Sequence, residues 1–226
     1  MKNNVLVLGD GLLGRELINQ TNWDYVSRSK NGFDIDHLDK FILSNYNIVI
    51  NCIAHTDTYS EDKEDHWNVN YKFVDRLINY CNDNKIKLIH ISTDYVYSNS
   101  IPSATEEDVP VHHNSWYGYT KLLSDGLIQL RSENYLLIRC SHKPKPFEYS
   151  NAWIDYVGNF DYVDTIAGLI VKCVDKNLSG LYNVGTEVKS MFDLATETNV
   201  VVKSFTPPHV PKNLSMDINK LKSSLG

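Results

Sequence analysis

The sequence predicts an α/β protein built on a doubly wound parallel sheet, and three observations support this prediction. Short apolar runs rich in branched residues recur over the first 140 residues, and amphipathic helical patterns separate them. A glycine-rich turn directly follows the first run. Strands that are apolar on both faces and alternate with helices are typical of a parallel sheet that helices cover on both sides.

The predicted elements follow a regular order along this first part of the chain. Strands are expected at Val5–Leu8, Tyr25–Val26, Asn47–Cys52, Leu88–Ser92 and Tyr135–Arg139. Helices between them are expected at Leu12–Ile18, Trp67–Asn82 and Tyr117–Arg131. Such helices return the chain across the sheet, which is the connection that parallel strands require.

The pattern loosens after Arg139. Two prolines and little periodicity predict a loop over Ser141–Ser150. The elements expected beyond it are a helix at Val163–Val174, a strand at Leu181–Val184, a helix at Met191–Thr198, a strand at Val200–Phe205 and a helix at Ile218–Leu225. We therefore expect a first domain over residues 1–140 and a shorter region over residues 141–226 that packs partly on it.

Composition and charge exclude several classes of protein. The chain has 226 residues, of which 42% are hydrophobic and 22% charged, and this rules out a disordered chain or a coiled coil. Its 22 basic and 28 acidic residues give a formal charge of −6, so no nucleic-acid partner is expected. The longest apolar runs, such as Asn47–Ala54, are too short to cross a bilayer, so no membrane partner is expected.

The four cysteines favour a cytoplasmic location. They are widely spaced in apolar or helical contexts and form no C-x-x-C pair, so free buried thiols are expected. The residues after Met1 lack the apolar segment of a signal peptide. No group of His, Cys, Asp and Glu residues has the spacing of metal ligands, so no metal is expected.

The turn after the first strand has the pattern G-x-G-x-x-G, in which the glycines are Gly9, Gly11 and Gly14. The first glycine permits a tight turn, the second allows the backbone to approach a pyrophosphate, and the third allows close packing of helix on strand. Free N–H groups at the start of the helix, at Leu12 and Leu13, would face the anion. The pattern and its position between strand and helix predict a dinucleotide site of the Rossmann type.

The end of the second strand favours NADP over NAD. An Asp or Glu about 20 residues after the glycine turn usually holds the ribose 2′-hydroxyl of NAD. Here the chain reads Ser27-Arg28, and an arginine can bind a 2′-phosphate with its planar guanidinium group. We therefore predict NADP(H) as the preferred cofactor and keep NAD(H) as the alternative. Asp34 and Ile35, further along, are expected near the adenine.

A Y-x-x-x-K pattern begins at Tyr117 and ends at Lys121. On a helix these two residues share a face, and a nearby cation lowers the pKa of a phenol from about 10, so the pair predicts acid–base chemistry. A second such pattern, Tyr59 to Lys63, lies in a polar stretch away from the other signals. The first pair follows a strand that ends with Ser92 and Thr93, whose hydroxyls would lie at the ligand-binding edge of the sheet.

Taken together, these motifs resemble the extended short-chain dehydrogenase/reductase family, and within it the branch of dTDP-4-dehydrorhamnose reductases. The resemblance is close over about the first 140 residues and looser beyond them. The segments that carry it are GDGLLG at 9–14, NCIAHT at 51–56, NVN at 68–70, HISTDYVY at 90–97, EEDVP at 106–110, YGYTK at 117–121, DYVDT at 161–165 and GLYNV at 180–184.

The resemblance implies a reaction and a set of site residues. It implies an NADPH-dependent reduction of a nucleotide-linked 4-keto-6-deoxy sugar, as in dTDP-rhamnose biosynthesis, with Tyr117 as proton donor. Thr93 would complete the catalytic group with Tyr117 and Lys121, and the latter two would also contact the cofactor. The further residues implied for the cofactor are Ile53, Ala54, Thr56, Asn70 and Ser92. Those implied for the substrate are Thr93, Asp94, Tyr95, Arg139 and Ser141.

The chain after Ser141 departs from the resemblance, because the relatives continue into a longer substrate domain. His142, Lys143 and Lys145 are candidate phosphate contacts or parts of a solvated loop. Trp153 and Tyr156 could stack on a base or pack in the core, and packing is favoured. Asp164 is expected to be structural. The sequence does not identify the sugar or the base of the substrate. A homodimer is one possible oligomeric state.

Three functions are therefore compared. The first is the NADP-dependent reductase of a nucleotide-linked keto sugar. The second keeps the fold but uses tightly held NAD for epimerisation or dehydration. The presence of Tyr95 directly after Asp94 fits the pattern of the reductases better than that of the dehydratases. The third is a cofactor-binding regulatory module without turnover, against which the intact Thr93, Tyr117 and Lys121 weigh.

Overall fold

The computed structural model describes residues 4–41, 45–112 and 114–226. Thirteen described strands follow in chain order: β1 Val5–Leu8, β2 Asp24–Val26, β3 Ile48–Asn51, β4 Lys87–Thr93, β5 Tyr135–Cys140, β6 His142–Lys143, β7 Asn151–Trp153, β8 Val157–Gly158, β9 Asp161–Tyr162, β10 Gly180–Asn183, β11 Lys189–Ser190, β12 Val202–Ser204 and β13 Asn213–Leu214. The described α-helices are α1 Leu12–Thr21, α2 Arg28–Asn31, α3 Lys63–Trp67, α4 Phe73–Asp83, α5 Trp116–Arg131, α6 Val163–Asp175, α7 Met191–Thr196 and α8 Asn219–Leu225.

Six of these strands form one parallel sheet in the order β10-β5-β4-β3-β1-β2. This confirms the predicted doubly wound α/β fold. The five strands expected in the first 140 residues are present, each within one residue of its expected ends. The strand expected at Leu181–Val184 is β10, which adds to the edge beside β5.

The apolar runs become strands because both faces of the sheet are buried. Successive side chains of a strand point to opposite faces. Along β1, Val5 and Val7 join the core under α1 and α6, whereas Leu6 and Leu8 join the core under α4. All four residues are at most 3% exposed, which explains the absence of a polar alternation in this strand.

The helix expected at Trp67–Asn82 begins earlier than predicted. The Asp62 carboxylate accepts hydrogen bonds from the backbone N–H groups of Glu64 and Asp65, and this cap starts α3 at Lys63. A π-helical turn over Asn68–Lys72 then joins α3 to α4. The turn buries Asn70 beside the chain that follows β3.

The chain after residue 140 returns to the central sheet. It supplies the edge strand β10 and the helix α6, which packs on α1 in the same core. Its remaining short strands pair as β11-β8-β13, β12-β7 and β6-β9 around a third apolar cluster that contains Phe160, Leu194 and Leu214. The predicted boundary at residue 140 stays a prediction.

None of the helices in the described ranges combines the length and apolar character needed to cross a membrane.

The third glycine of the turn after β1 generates a test of the packing. A Cβ at Gly14 would lie 2.2 Å from the carbonyl oxygen of Gly9, so a side chain there forces the backbone apart. We expect Gly14→Ala to lower the free energy of unfolding by about 1–3 kcal/mol in urea titrations.

Gly126 provides the matched control for that change. It lies inside α5, and a Cβ there meets no described atom within 4 Å. We expect Gly126→Ala to raise the free energy of unfolding by about 1 kcal/mol because alanine favours helix. Equal stability of Gly14→Ala and the wild type would show that the turn does not hold the close approach described here.

Candidate active site

A cavity of about 550 Å³ opens at the carboxyl ends of β1, β3, β4 and β5. Most of the predicted site residues line it: Gly11, Leu12, Leu13, Gly14, Ala54, Thr56, Ser92, Thr93, Asp94, Tyr95, Tyr117, Lys121 and Ser141. The predicted residues outside this lining are Gly9, Ser27, Arg28, Asp34, Ile35, Ile53, Asn70 and Arg139. The structure therefore brings the glycine turn, the hydroxyls of β4 and the Tyr–Lys pair to one place.

The glycine turn has the shape of a phosphate cradle. Gly9 has a φ of +93°, a conformation that favours glycine. A Cβ at Gly11 would meet none of the described atoms within 4 Å, and no described side chain caps α1. The N–H groups at the start of α1 are therefore directed toward the open cavity, where helix geometry favours an anion.

The loop after β2 is tied to this turn. The Ser27 hydroxyl accepts a hydrogen bond from the backbone N–H of Lys30 and starts α2, whose first residue is the exposed Arg28. The Ser29 hydroxyl donates to a carboxylate oxygen of Asp10, between the first two glycines, at 2.5 Å. Arg28 therefore begins a short helix that a serine–aspartate hydrogen bond holds to the cradle.

Asp34 and Ile35 stand further from the cavity. The Asp34 carboxylate accepts a hydrogen bond from the backbone N–H of Asp36 and caps the 3₁₀ helix Ile35–Lys40. Ile35 is buried in the core under α4, and its carbonyl accepts a hydrogen bond from Arg76 at 2.9 Å. Both residues thus shape the segment beyond Arg28.

Ile53 and Asn70 support the segment that lines the cavity after β3. Ile53 packs against the apolar core. The Asn70 side chain accepts from the backbone N–H of His55 at 2.8 Å and donates to the His55 carbonyl at 3.0 Å. This double contact fixes the backbone between Ala54 and Thr56, both of which face the cavity.

Tyr117 and Lys121 lie one turn apart on α5, which the Ser115 hydroxyl caps. The expected lowering of the Tyr117 pKa is corrected by the structure: burial raises the pKa of this phenol well above its usual value, and a hydrogen bond with the Thr93 side chain opposes the shift only in part. Lys121 is 1% exposed, and burial lowers the pKa of its amine to about 8. Both shifts have burial as their largest cause, which favours the neutral form of each group.

Thr93 ends β4 and caps the next turn. Its hydroxyl oxygen accepts a hydrogen bond from the backbone N–H of Tyr95 at 3.1 Å and donates to the carboxyl group of Asp94 at 3.2 Å. Burial raises the pKa of Asp94 to about 7, and the charge of Lys143 opposes that shift. The second carboxyl oxygen of Asp94 finds no hydrogen-bond partner among the described residues.

Arg139 is placed differently from the prediction. Its guanidinium Nε donates to the Asp125 carboxylate at 3.0 Å, its Nη1 donates to the Tyr97 hydroxyl, and the side chain is 2% exposed. It therefore lies beneath the cavity rather than in its lining, and the expected substrate contact is corrected. Cys140 pairs with Thr93 at the end of β4. Cys140, rather than Arg139, is therefore the residue of β5 that lines the cavity.

The loop after β5 divides the remaining candidates. His142, Lys143, Trp153 and Tyr156 line the cavity. Trp153 and Tyr156 also pack in the third apolar cluster. Lys145 is directed away, because its amine donates to Asp164 at 2.6 Å on the exposed side of the loop.

Several lining residues were missed by sequence reasoning. Cys52 and Cys140 line the cavity from the ends of β3 and β5, and Met191 and Val210 close it from the second half of the chain. The two cysteines follow predicted strands and could have been placed at the carboxyl edge. Met191 and Val210 carry no chemical signal and reach the site only through tertiary packing.

This fold and site define a class. A parallel sheet with a G-x-G-x-x-G turn after its first strand, and a Tyr–Lys pair beside the hydroxyls of its fourth, is the arrangement of Rossmann-type proteins of the extended short-chain dehydrogenase/reductase kind. The family model described as the RmlD substrate binding domain matches residues 2–142. The chain belongs to this family. A comparison with curated proteins found no match.

Solved structures share the fold over nearly the whole chain. A dTDP-4-dehydrorhamnose reductase from Clostridium acetobutylicum is 22% identical, with a TM-score of 0.82, over 98% of this chain and 92% of that one. A dTDP-4-dehydrorhamnose reductase from Bacillus anthracis in complex with NADP is 22% identical, with a TM-score of 0.82, over 99% and 93%. A UDP-glucuronic acid 4-epimerase from Bacillus cereus in complex with NAD is 17% identical, with a TM-score of 0.76, over 98% and 89%. At these identities the likeness shows the fold.

The raised pKa of Asp94 generates a test of the site's electrostatics. Its carboxyl is 2% exposed and has a folded pKa of about 7 against an ordinary value of 3.8, so the folded protein keeps a proton that the unfolded chain releases. The free energy of unfolding therefore falls as pH rises from about 4 to about 7, by an amount on the order of 4 kcal/mol from this group. We expect Asp94→Asn to remove that part of the slope in urea titrations at stepped pH.

Asp108→Asn is the control with the opposite sign. Hydrogen bonds from Thr105 lower the pKa of Asp108, so its stabilising contribution is lost as pH falls. A wild-type slope unchanged by Asp94→Asn would contradict a buried Asp94 that keeps its proton.

Proposed function

We propose that this protein is an NADPH-dependent reductase of a nucleotide-linked 4-keto-6-deoxy sugar. The observation that carries the proposal is the convergence, in one cavity, of the glycine cradle with Thr93, Tyr117 and Lys121. The family to which the chain belongs supports it, as do the similar structures described as dTDP-4-dehydrorhamnose reductases.

The residues present fit a nicotinamide dinucleotide. The open space at Gly11 and the free start of α1 suit a pyrophosphate, and Arg28 offers a guanidinium where NADP carries its extra phosphate. Lys121, deep in the same cavity, would hold the ribose next to the nicotinamide. The NADP bound by the Bacillus anthracis protein supports this preference, whereas the NAD bound by the Bacillus cereus epimerase keeps NAD as the alternative.

The chain's own residues supply the proton and the orientation. A bound NADPH would supply a hydride to the keto carbon. Tyr117 would donate its hydroxyl proton to the carbonyl oxygen as that oxygen becomes an alcohol, and the raised pKa of the phenol keeps the proton available. Thr93, which lines the same cavity as Tyr117, would orient the same oxygen. Lys121 would hold the Tyr117 phenol and the cofactor in the correct positions relative to each other.

The cofactor preference depends on Arg28. We expect Arg28→Ala to weaken NADPH binding by about 10- to 100-fold, because a charged hydrogen bond to a phosphate contributes about 1.5–3 kcal/mol, and to leave NADH binding nearly unchanged. Energy transfer from protein fluorescence to the bound nicotinamide measures both affinities. Lys176→Ala removes an exposed cation at the end of α6 and serves as control. Tighter binding of NADH than of NADPH by the wild type would reject the assignment.

The proton donor is tested by Tyr117→Phe. We expect kcat for NADPH oxidation with nucleotide-linked 4-keto sugars to fall by about 10²- to 10⁴-fold while NADPH affinity is kept, because general acid catalysis contributes that much. Tyr119→Phe is the matched control, since Tyr119 lies two residues later on the same helix and outside the cavity lining. Equal kcat in Tyr117→Phe and the wild type would discard Tyr117 as donor.

The same assay separates the other functions. A sugar converted to its epimer without net NADPH oxidation would replace the reductase by an epimerase. Binding of NADPH without turnover of any sugar in the panel would favour a cofactor-binding module.

A further inference from the structure

A smaller cavity of about 330 Å³ adjoins the main cavity, the one that Tyr117 lines. Three residues line both cavities: Lys143, Trp153 and Met191. The loop between β6 and β7, together with β7, forms the rest of the smaller cavity. Every residue of its lining lies after residue 142, beyond the range that the family model matches. Membership of the family therefore assigns this cavity no role.

Aromatic side chains form much of the smaller cavity. Phe147 is buried, and its ring centroid lies 5.5 Å from that of Tyr149, which is 62% exposed. Trp153, on the side shared with the main cavity, lies with its ring centroid 5.5 Å from that of Tyr156. Asn151 adds an amide that can both donate and accept hydrogen bonds. These surfaces suit a nucleobase, because stacking on an aromatic ring is favourable for every base.

The chain after α7 holds the aromatic loop in place. The backbone N–H of Phe147 donates to the Thr198 hydroxyl at 3.0 Å, and its carbonyl accepts from the Asn199 side chain at 3.0 Å. Strand β7, which follows the loop, pairs with β12. The smaller cavity is therefore formed before any ligand enters it, as is usual for small-molecule sites.

Lys143 supplies a cation where the two cavities meet. Its amine has no hydrogen-bond or ion-pair partner within the described parts of the chain, whereas the amine of Lys145 is paired with Asp164. Burial lowers the pKa of Lys143, and the charge of Asp94 opposes that shift. A phosphate group would act in the same direction as Asp94 and could accept a charged hydrogen bond from the amine.

A third cavity, of about 570 Å³, also adjoins the main one. Tyr59 lines both of these, and its hydroxyl is hydrogen-bonded to that of Tyr95. Lys63 in the third cavity lies over the ring of Trp116, with its amine 5.1 Å from the ring centroid. Glu61 in the same lining would repel a diphosphate. The smaller cavity, with the unpaired Lys143 at its junction, is therefore the better site for a nucleotide.

We propose that the smaller cavity binds the base of a nucleoside diphosphate and that Lys143 binds its diphosphate. The inference rests on the proposed function, which places a nucleotide-linked keto sugar beside Tyr117. The glycine turn is proposed there for the cofactor, so the nucleotide of the substrate must leave the main cavity in another direction. Lys143 and Trp153 lead from the main cavity into the smaller one.

Nucleotide binding can be measured without the sugar, the hydride or the proton. We expect at least one of dTDP, UDP and GDP to bind the wild type in titration calorimetry. We expect Lys143→Gln to weaken that binding by about 10- to 100-fold, because it removes a charged hydrogen bond. Lys145→Gln is the matched control, since it removes a cation two residues later that is paired with Asp164. Equal affinities in Lys143→Gln and the wild type, or no binding of any of the three nucleotides, would overturn the proposal.

Tyr149→Ala tests the position of the base independently of the charge. We expect the affinity for the same nucleotide to fall by about 5- to 100-fold, because stacking of a base on an aromatic ring contributes that much. Phe205→Ala is the control, since it removes another exposed aromatic ring outside the cavity lining. The exposed Tyr149 is not needed for the core, so this variant decides if Lys143→Gln does not fold. An unchanged affinity in Tyr149→Ala would reject the base position.

Competition and a third variant separate the smaller cavity from other positions. We expect saturating NADP⁺ to leave the nucleotide affinity unchanged. Displacement by NADP⁺ would place the nucleotide at the glycine turn, and weaker binding in Lys63→Gln would place it in the third cavity; either result overturns the proposal. Turnover of keto sugars without this nucleotide binding would reject the present inference alone, whereas nucleotide binding without turnover would reject the reductase alone.

Discussion

The buried ion pair between Arg139 and Asp125 is the constraint on which the geometry of the site depends. Both side chains are at most 2% exposed, and an unpaired charge at that depth costs about 3–5 kcal/mol. Asp125 lies one helical turn after Lys121, and Arg139 is fixed in β5 opposite Ser92. Any rotation of α5 that moved Tyr117 and Lys121 away from β4 would also separate this pair. The orientation of the Tyr–Lys pair is therefore held from beneath.

Loss of water from this edge of the sheet explains the direction of the pKa shifts. Burial is the largest cause of the raised pKa of Tyr117, the lowered pKa of Lys121 and the raised pKa of Asp94. All three shifts favour uncharged forms, as expected where side chains lose contact with water. A sequence pattern shows that a lysine stands near a tyrosine, but it does not show how much water surrounds them.

The parts predictable from the sequence were those encoded by local pattern. The strands were predictable because a strand that is buried on both faces is a continuous apolar run, as in Val5–Leu8. The phosphate-binding turn was predictable because each of its three glycines meets a different requirement of the backbone. Arg139 was wrongly expected to contact the substrate. The residue of β5 that reaches the cavity depends on how β5 pairs with β4, and this pairing sets Cys140 opposite Thr93. The sequence of a single strand does not show that register. The start of α3 at Lys63 was signalled by the cap at Asp62, which the apolar periodicity alone did not reveal.

The two sides of the cavity are built by different parts of the chain. The side that carries Tyr117 and Lys121 rests on β4, β5 and α5, whereas the opposite side comes from the loop after β5 and from the cluster around Phe160 and Leu194. Asp94 and Lys143 connect them, since each charge favours the charged form of the other. Burial nevertheless outweighs Lys143 in setting the pKa of Asp94. Side chains of the loop can therefore alter the shape and charge of the opposite side of the cavity while the ion pair beneath α5 keeps Tyr117 and Lys121 in place.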